Sequence, residues 1–318
     1  MTPFVKKVLE AKTIVAHDHC ADGTASAVLL KGLVPEAEVV FCQYGTAQHK
    51  QLPVTPGMVF VDFSPHPDRV GEFVEAGAVV FDHHGTQKEV VAAFNEYGIY
   101  EDGPGICGAT LVYKHLWQPL VRTGELQGDI VRMDQFAVKL ALLAGIRDTW
   151  QNKDSQWEEA CIQSGVLEFM PTGVTLGQSL LDLAASWDRY LWVGKILWQK
   201  RQKTIMKLAS SGYRFTTKKG TRVIVLSLNG NNASDVSDVY GTEADLVVGG
   251  FYVFTTGDET PKLVLSCRSK TTYDVATLCK SHGGGGHPKA AGMTLDTKPE
   301  DPHLYSYAER LIRSYEGE

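Results

Sequence analysis

Short runs of β-branched and aromatic residues, separated by amphipathic stretches, set the tightest limit on how the first hundred residues can fold. TIVA (13–16), EVVFC (38–42), MVFV (58–61) and AVVF (78–81) are brief and almost wholly apolar. A strand covered on one face alternates apolar with polar residues. A strand without alternation is covered on both faces, as in a parallel sheet. Between these runs, about 22–32 and about 66–76 read as helices, with Gly32 and Gly77 as their stop signals. Strand and helix in repeated order predict an α/β fold with a doubly wound parallel sheet.

From about 105 to 210 the pattern turns helical. Phe136, Leu140 and Leu143 repeat at helix spacing, as do Leu180, Leu183 and Trp187. Residues 186–209 predict one long helix with Trp187, Leu191, Trp198 and Ile205 on its apolar side. Lys195, Lys200, Arg201, Lys203 and Lys207 form a basic run on the same helix, which is either a solvated face or a nucleic-acid contact. Ser210-Ser211-Gly212 breaks it. Beyond, RVIVLSL (222–228), ADLVVGGFYVF (244–254) and KLVLSCR (262–268) predict strands. A helix at 273–281 runs into four glycines, and 303–315 closes the chain as a helix. The expected organisation is a domain over 1–185, a helical connector over 186–211 and a smaller α+β domain over 212–318. A chain of 318 residues accommodates two domains at about 150 residues each.

The balance of 31 Lys+Arg against 37 Asp+Glu argues against a dedicated binder of long nucleic acid. It is compatible with short nucleotides, because carboxylates gathered around a metal also make a chain acidic. Six scattered cysteines, without a Cys-x-x-Cys pair, match neither a disulfide framework nor a zinc ribbon. MTPFVKKVLEAK lacks the apolar core of a signal peptide, and the most apolar stretch, 136–146, is too short to span a bilayer. The expected setting is a reducing cytoplasm, with no membrane and no obligate protein partner.

Chemistry gathers just past the predicted strands. His17, Asp18, His19, Cys20 and Asp22 follow the first, Asp62 the third, and Asp82, His83 and His84 the fourth. Tyr44, Gly45 and Thr46 follow the second, either lining the same edge or forming an ordinary turn. Asp148 ends the apolar helix at 136–147. Singly, Asp62 reads as a turn residue and Asp148 as a solvated helix end. Together they place imidazoles and carboxylates at the carboxyl edge of a parallel sheet, where ligands bind. That donor set suits Mn²⁺ first, with Mg²⁺ or Co²⁺ as alternatives.

HDHCADG (17–23), VDFSP (61–65), DHHGT (82–86) and GIRDTW (145–150), in that order, resemble the four motifs of the DHH phosphoesterase superfamily. That family includes RecJ-type exonucleases, oligoribonucleases (nanoRNases), cyclic-dinucleotide phosphodiesterases and family II pyrophosphatases. SCRSK (266–270) and GGGGHPKAAGM (283–293) resemble the signature of the DHH-associated substrate-binding domain. The resemblance implies a two-metal centre. His83 would be a ligand, Asp62 would bridge, Asp22 and Asp148 would complete the second site with His83, and His17 would serve the first. His84 would sit beside the substrate phosphate, with Asp82 orienting a neighbouring histidine. Many members carry Asp-x-Asp in the first motif where this chain has Cys20-Ala21-Asp22, an arrangement that resembles a His-x-x-Cys-x-Asp-Gly subgroup. Cys20 is then either a thiolate ligand or a small packing residue, and Asp18 or His19 could complete the first site instead.

The glycine run is either a flexible turn or, with Gly284, Gly285 and Gly286, a loop whose backbone N–H groups close around a phosphate. His287 follows it directly, and Arg268 ends a nearby strand with a fork suited to phosphate. The expected activity is hydrolysis of short single-stranded oligonucleotides to mononucleotides, the metal domain cleaving and the second domain gripping the nucleotide. The competing enzyme activities are cleavage of cyclic or linear dinucleotides and of 3′-phosphoadenosine 5′-phosphate. The competing class is a nucleotide-binding regulator with a degraded site, which only Cys20 favours.

Overall fold

A computed structural model describes residues 1–126, 129–169, 180–228, 233–253, 261–296 and 303–318. It contains two compact units, Met1–Trp198 and Gln199–Glu318. No helix among the described residues is long and apolar enough to cross a membrane.

In the first unit, β1 (Thr13–His17), β2 (Glu38–Cys42), β3 (Met58–Val61), β4 (Val79–Asp82) and β5 (Gly98–Tyr100) pair throughout in parallel, in the order β2-β1-β3-β4-β5. The unbroken apolar runs are explained by two cores. Ile14, Ala16, Val59, Val61, Val79 and Phe81 join one, with residues from helices Ala21–Leu33 and Ile130–Asp148. Val15, Met58, Phe60 and Val80 join the other, with Phe73, Val91 and Phe94. Adjacent residues of a strand thus enter opposite cores, as a period of two requires. This is the doubly wound α/β sheet expected from the sequence. In this order the chain leaves β1 first to one side and then to the other. The crevice of such a sheet opens at the carboxyl ends of β1 and β3.

Gly77 does end its helix, with φ of +70°. Gly32 does not. The helix runs Ala21–Leu33, and Gly32 lies inside it, where a Cβ would come within 3.0 Å of the Trp117 ring. The glycine there serves close packing, which has the same local sequence as a stop signal. The stretch expected as one helix at 66–76 is a turn of 3₁₀ helix, Pro67–Arg69, followed by an α-helix, Val70–Glu75.

The second unit holds β6 (Tyr213–Thr216), β7 (Arg222–Ser227), β8 (Leu246–Val253), β9 (Lys262–Arg268), β10 (Gly285–His287) and β11 (Ala290–Asp296), in the order β10-β11-β9-β8-β7-β6. Only β7 and β8 pair in parallel, joined through the helix Ala233–Tyr240, which gives the α+β character expected. Burial alternates along β9, so one of its faces is covered. Phe254, the last residue of the strand expected at 244–254, lies outside the described residues.

The long helix spans Leu180–Ser210, beginning earlier than the sequence suggests. Leu180, Leu183 and Trp187 belong to the core of the first unit, Ile205 and Ala209 to a core of the second. At Gly194 a Cβ would press on the carbonyl oxygen of Ile162 and lie 2.7 Å from Val166. Helix propensity favours alanine there by about 1 kcal/mol, whereas overpacking costs about 1–3 kcal/mol. Because one obstacle is backbone, overpacking should win. Gly194→Ala is expected to lower the denaturation midpoint, and a raised midpoint would show that this helix contact is not tight.

Candidate metal centre

Each strand end delivers its residues by a distinct local device. His17 is the last residue of β1. The chain then turns into the helix Ala21–Leu33, with Cys20 as its N-cap and Asp22 buried in its first turn. Gly23 is required at this turn, since a Cβ would collide with the carbonyl of His17. Asp62 follows β3 in the left-handed region, φ +54°, held by its N–H to Phe81 O at 2.9 Å. That conformation costs an L-residue roughly 1–3 kcal/mol and is kept only where the surroundings enforce it. Asp82 ends β4, with His83 and His84 next, and Asp148 is the last residue of the helix Ile130–Asp148.

These devices converge. His83 Nε2 lies 3.1 Å from Asp62 Oδ1, 3.5 Å from Asp148 Oδ2 and 3.8 Å from Asp22 Oδ2. On the other side of Asp62, its Oδ2 faces His17 Nδ1 at 3.5 Å. Three ligand sets result, His17–Cys20–Asp62, Asp62–His83–His84 and Asp22–His83–Asp148, each with its donor atoms within 4.8 Å of one another. Asp62 belongs to two of them. Asp18 and His19 belong to none; they pair with each other at 3.4 Å, and the His19 side chain is exposed.

The electrostatics are those of a site that wants positive charge. Burial alone would lower the two histidines, yet the hydrogen bond to Asp62 and the charges of Asp148 and Asp22 raise His83 to about 10. The bond to Asp82 and the charge of Asp62 likewise raise His84 to about 9. Burial and the carboxylates of Asp62 and Asp148 push Asp22 well above the usual range. Burial opposes ionisation of Asp62 too, but the histidines facing it hold it well below that range. Two buried atoms, His17 Nδ1 and Asp62 Oδ2, make no hydrogen bond besides their own long 3.5 Å contact. Such orphans cost about 1–3 kcal/mol unless something pairs them. A divalent cation fits this pair, and the surrounding nitrogen and carboxylate donors suit it.

The centre is braced from behind. Asp22 accepts from the N–H groups of Gly108 at 2.6 Å and Ala109 at 2.8 Å. Asp82 Oδ1 accepts from His84 Nδ1 at 2.7 Å. Its Oδ2 accepts from Ser64 Oγ at 2.5 Å and Tyr44 OH at 3.0 Å. Tyr44 OH accepts in turn from Ser64 N at 2.8 Å. With Nδ1 engaged, the His84 ring presents Nε2. Tyr44 was indistinguishable from a turn residue in the sequence, and Gly108 carried no signal at all. Ser64 stands inside VDFSP, the motif that supplies Asp62, and that adjacency was its only signal.

The proposed substrate residues lie in the second unit. Arg268 ends β9 and donates through Nε to Ser234 Oγ at 2.7 Å and through Nη1 to Cys267 O at 2.9 Å. Gly285, Gly286 and His287 form β10, the edge strand of the sheet, against β11. Gly284 and Gly286 permit close approach: a Cβ at Gly284 would meet Gly292 O, and one at Gly286, whose φ is +138°, would lie 2.6 Å from Ala290 O. Gly285 faces open space, and His287 is exposed.

The model of the DHHA1 domain matches residues 220–314. Residues 220–314 therefore form a DHHA1 domain. The motifs at the carboxyl edge of the first unit's sheet resemble those of the DHH superfamily. Solved structures of the same fold include a DHH domain described as a member of the s1p family of ribosomal proteins. It is 11% identical, with 98% of this chain and 88% of that one covered and a TM-score of 0.57. Exonuclease RecJ bound to manganese is 16% identical, with 99% and 94% covered and a TM-score of 0.52. The pGpG-specific phosphodiesterase PggH from Vibrio cholerae is 16% identical, with 95% and 98% covered and a TM-score of 0.46. No match was found among curated proteins.

Two outcomes follow for this centre. Tyr44→Phe removes the acceptor of a buried Ser64 N–H and a donor to Asp82, and should destabilise the chain by about 1–3 kcal/mol. Chemical denaturation measures this, and an unchanged midpoint would mean the network is not formed. In Gly108→Ala the new Cβ would lie 2.7 Å from Asp62 Cβ and 3.0 Å from Asp22 Oδ2, displacing both carboxylates. Saturating Mn²⁺ should raise the wild-type melting temperature. The variant should show a clearly smaller rise, and an equal one would show that the carboxylates tolerate the shift.

Proposed function

We propose that this protein is a divalent-metal-dependent phosphodiesterase that hydrolyses short single-stranded oligonucleotides to mononucleotides, with Mn²⁺ as its working ion. The observation that carries it is Asp62: buried, left-handed, and set between His17 and His83 with one carboxylate oxygen toward each. That is the placement of a residue shared by two cation sites. Asp22, His83 and Asp148 would hold one ion and His17 the other. When bound, the ions would supply Lewis acidity toward a phosphoryl oxygen and toward water.

The residues do the rest. Asp82 fixes the ring of His84, so that Nε2 can donate to a phosphate oxygen and offset charge that grows in the transition state. Its raised pKa keeps it a donor at neutral pH. We assign Arg268, His287 and the glycines Gly284, Gly285 and Gly286 to the substrate's phosphate and terminal nucleotide, a guanidinium fork and a glycine run free of side chains being suited to that purpose. The formal charge of −6 favours a short substrate over a long polyanion.

A panel of substrates with Mn²⁺ tests this: linear dinucleotides, five-mers, long oligonucleotides, cyclic dinucleotides, 3′-phosphoadenosine 5′-phosphate and a simple phosphomonoester. Mononucleotide release should be fastest from the two- to five-mers. Asp62→Asn should lose activity by about two orders of magnitude or more, the scale of removing one preorganised electrostatic group. Preference for a cyclic dinucleotide or a monoester would overturn the substrate. Wild-type rates in folded Asp62→Asn would overturn the metal centre.

A further inference from the structure

One of the three ligand sets contains a thiol. His17, Cys20 and Asp62 offer nitrogen, sulfur and oxygen within 4.8 Å of one another, whereas Asp22, His83 and Asp148 offer only nitrogen and oxygen. Cys20 is unlike the other cysteines of the chain. Cys42, Cys107, Cys161, Cys267 and Cys279 are buried, while Cys20 is only partly so. Cys42, Cys107, Cys267 and Cys279 also take part in hydrophobic cores, in which Cys20 has no place among the described residues. A thiol that merely packs would be found where those are.

Cys20 is the N-cap of the helix Ala21–Leu33, and its carbonyl accepts from Thr24 N at 3.1 Å and Thr24 Oγ1 at 3.0 Å. Its sulfur faces the N–H of Gly23 in the first turn. The sulfur also lies within 4.8 Å of a ring nitrogen of His17 and a carboxylate oxygen of Asp62. His17 Nδ1 and Asp62 Oδ2 are buried and make no hydrogen bond besides their own 3.5 Å contact. A carboxylate 1% exposed, gathered with an imidazole nitrogen and a sulfur, indicates a cation rather than a packing contact.

We propose that Cys20 is a thiolate ligand, and that His17–Cys20–Asp62 is the soft half of a mixed centre, taking a thiophilic ion such as Zn²⁺ or Co²⁺ while Asp22, His83 and Asp148 take an oxygen-preferring ion such as Mn²⁺. The proposal rests on the metal centre of the proposed function and adds the selectivity of one half of it. On binding, the Cys20 S–H proton passes to solvent and a sulfur–metal bond forms, with no change in oxidation state. Thiolate donors select softer ions than carboxylates do.

Cobalt reports the ligand directly. Co²⁺ added to the full chain should produce visible d–d bands together with a near-ultraviolet sulfur-to-cobalt charge-transfer band. In Cys20→Ser the charge-transfer band should vanish while d–d bands remain. Co²⁺ should bind at least about tenfold more weakly, since even hydrogen-bond partners of ligands are worth that much. Cys20→Asp should bind without the band and shift its preference toward Mn²⁺. After loading with Zn²⁺ and dialysis against excess Mn²⁺, wild type should retain Zn²⁺ and Cys20→Asp should not. Wild-type d–d bands without a charge-transfer band, or a band that survives in Cys20→Ser, would overturn the proposal. The wild-type spectrum decides it even if a variant fails to fold. Failure of wild type to bind Co²⁺ would remove the thiolate claim. If Mn²⁺-dependent hydrolysis nevertheless persisted, the proposed function would stand without it.

Discussion

Three carboxylates, those of Asp62, Asp148 and Asp22, converge within 3.8 Å of one imidazole nitrogen, His83 Nε2, and the rest of the first unit is arranged to hold them there. Two unit charges at about 4 Å interact by about 4 kcal/mol at an effective dielectric of 20. Asp62 is 1% exposed and Asp22 2%, so water screens neither well. Left alone, such a cluster would spread or take up protons. The raised pKa values of His83 and His84 show the second response, with imidazolium protons supplying the positive charge. A divalent cation supplies more charge in less volume.

The supporting structure follows from that repulsion. Asp22 is fixed by two backbone N–H groups, at Gly108 and Ala109, that come from the first turn of another helix. Gly108 must be glycine because Asp62 Cβ and the Asp22 carboxylate occupy the space a methyl would need. Asp62 is kept in a left-handed conformation by its bond to Phe81 O, which ties it to the neighbouring strand. Asp82 stands one layer out and is satisfied on both oxygens. Asp62 and Asp82 therefore stand at strand ends of a parallel sheet covered on both faces, at the crevice where its strand order reverses, and Asp22 and Asp148 reach them from helices.

The second unit solves a different problem. An edge strand made of glycine can lie close to its neighbour and still leave one face clear, which Gly284 and Gly286 do on the crowded side and Gly285 on the open one. Two strands in from that edge, past β11, β9 ends with Arg268, whose guanidinium is steadied by Ser234 and a main-chain carbonyl. A steadied guanidinium loses less freedom when it meets an anion.

The doubly wound parallel class, the two covered faces and the clustering of His and Asp past β1, β3 and β4 were all legible in the sequence; the spatial order of the strands was not. They are consequences of local pattern: period, β-branching and the residue types that follow a strand. The positions that local pattern misjudged are those where a distant chain segment sets the constraint. Gly32 has the look of a helix stop and is instead a contact for Trp117, while Tyr44 has the look of a turn and is instead a brace for Asp82. Gly108 had no look at all, because the side chains it makes room for lie 46 and 86 residues away along the chain, counted from 62 and 22 to 108. Cys20 could be read from sequence as a ligand or as packing; only the folded chain sets its sulfur within 4.8 Å of donor atoms of His17 and Asp62 and, among the described residues, outside every core. Composition and periodicity determine which elements form and which face they bury. Which side chains share a point in space is decided by tertiary packing, because that depends on contacts between segments far apart in the sequence.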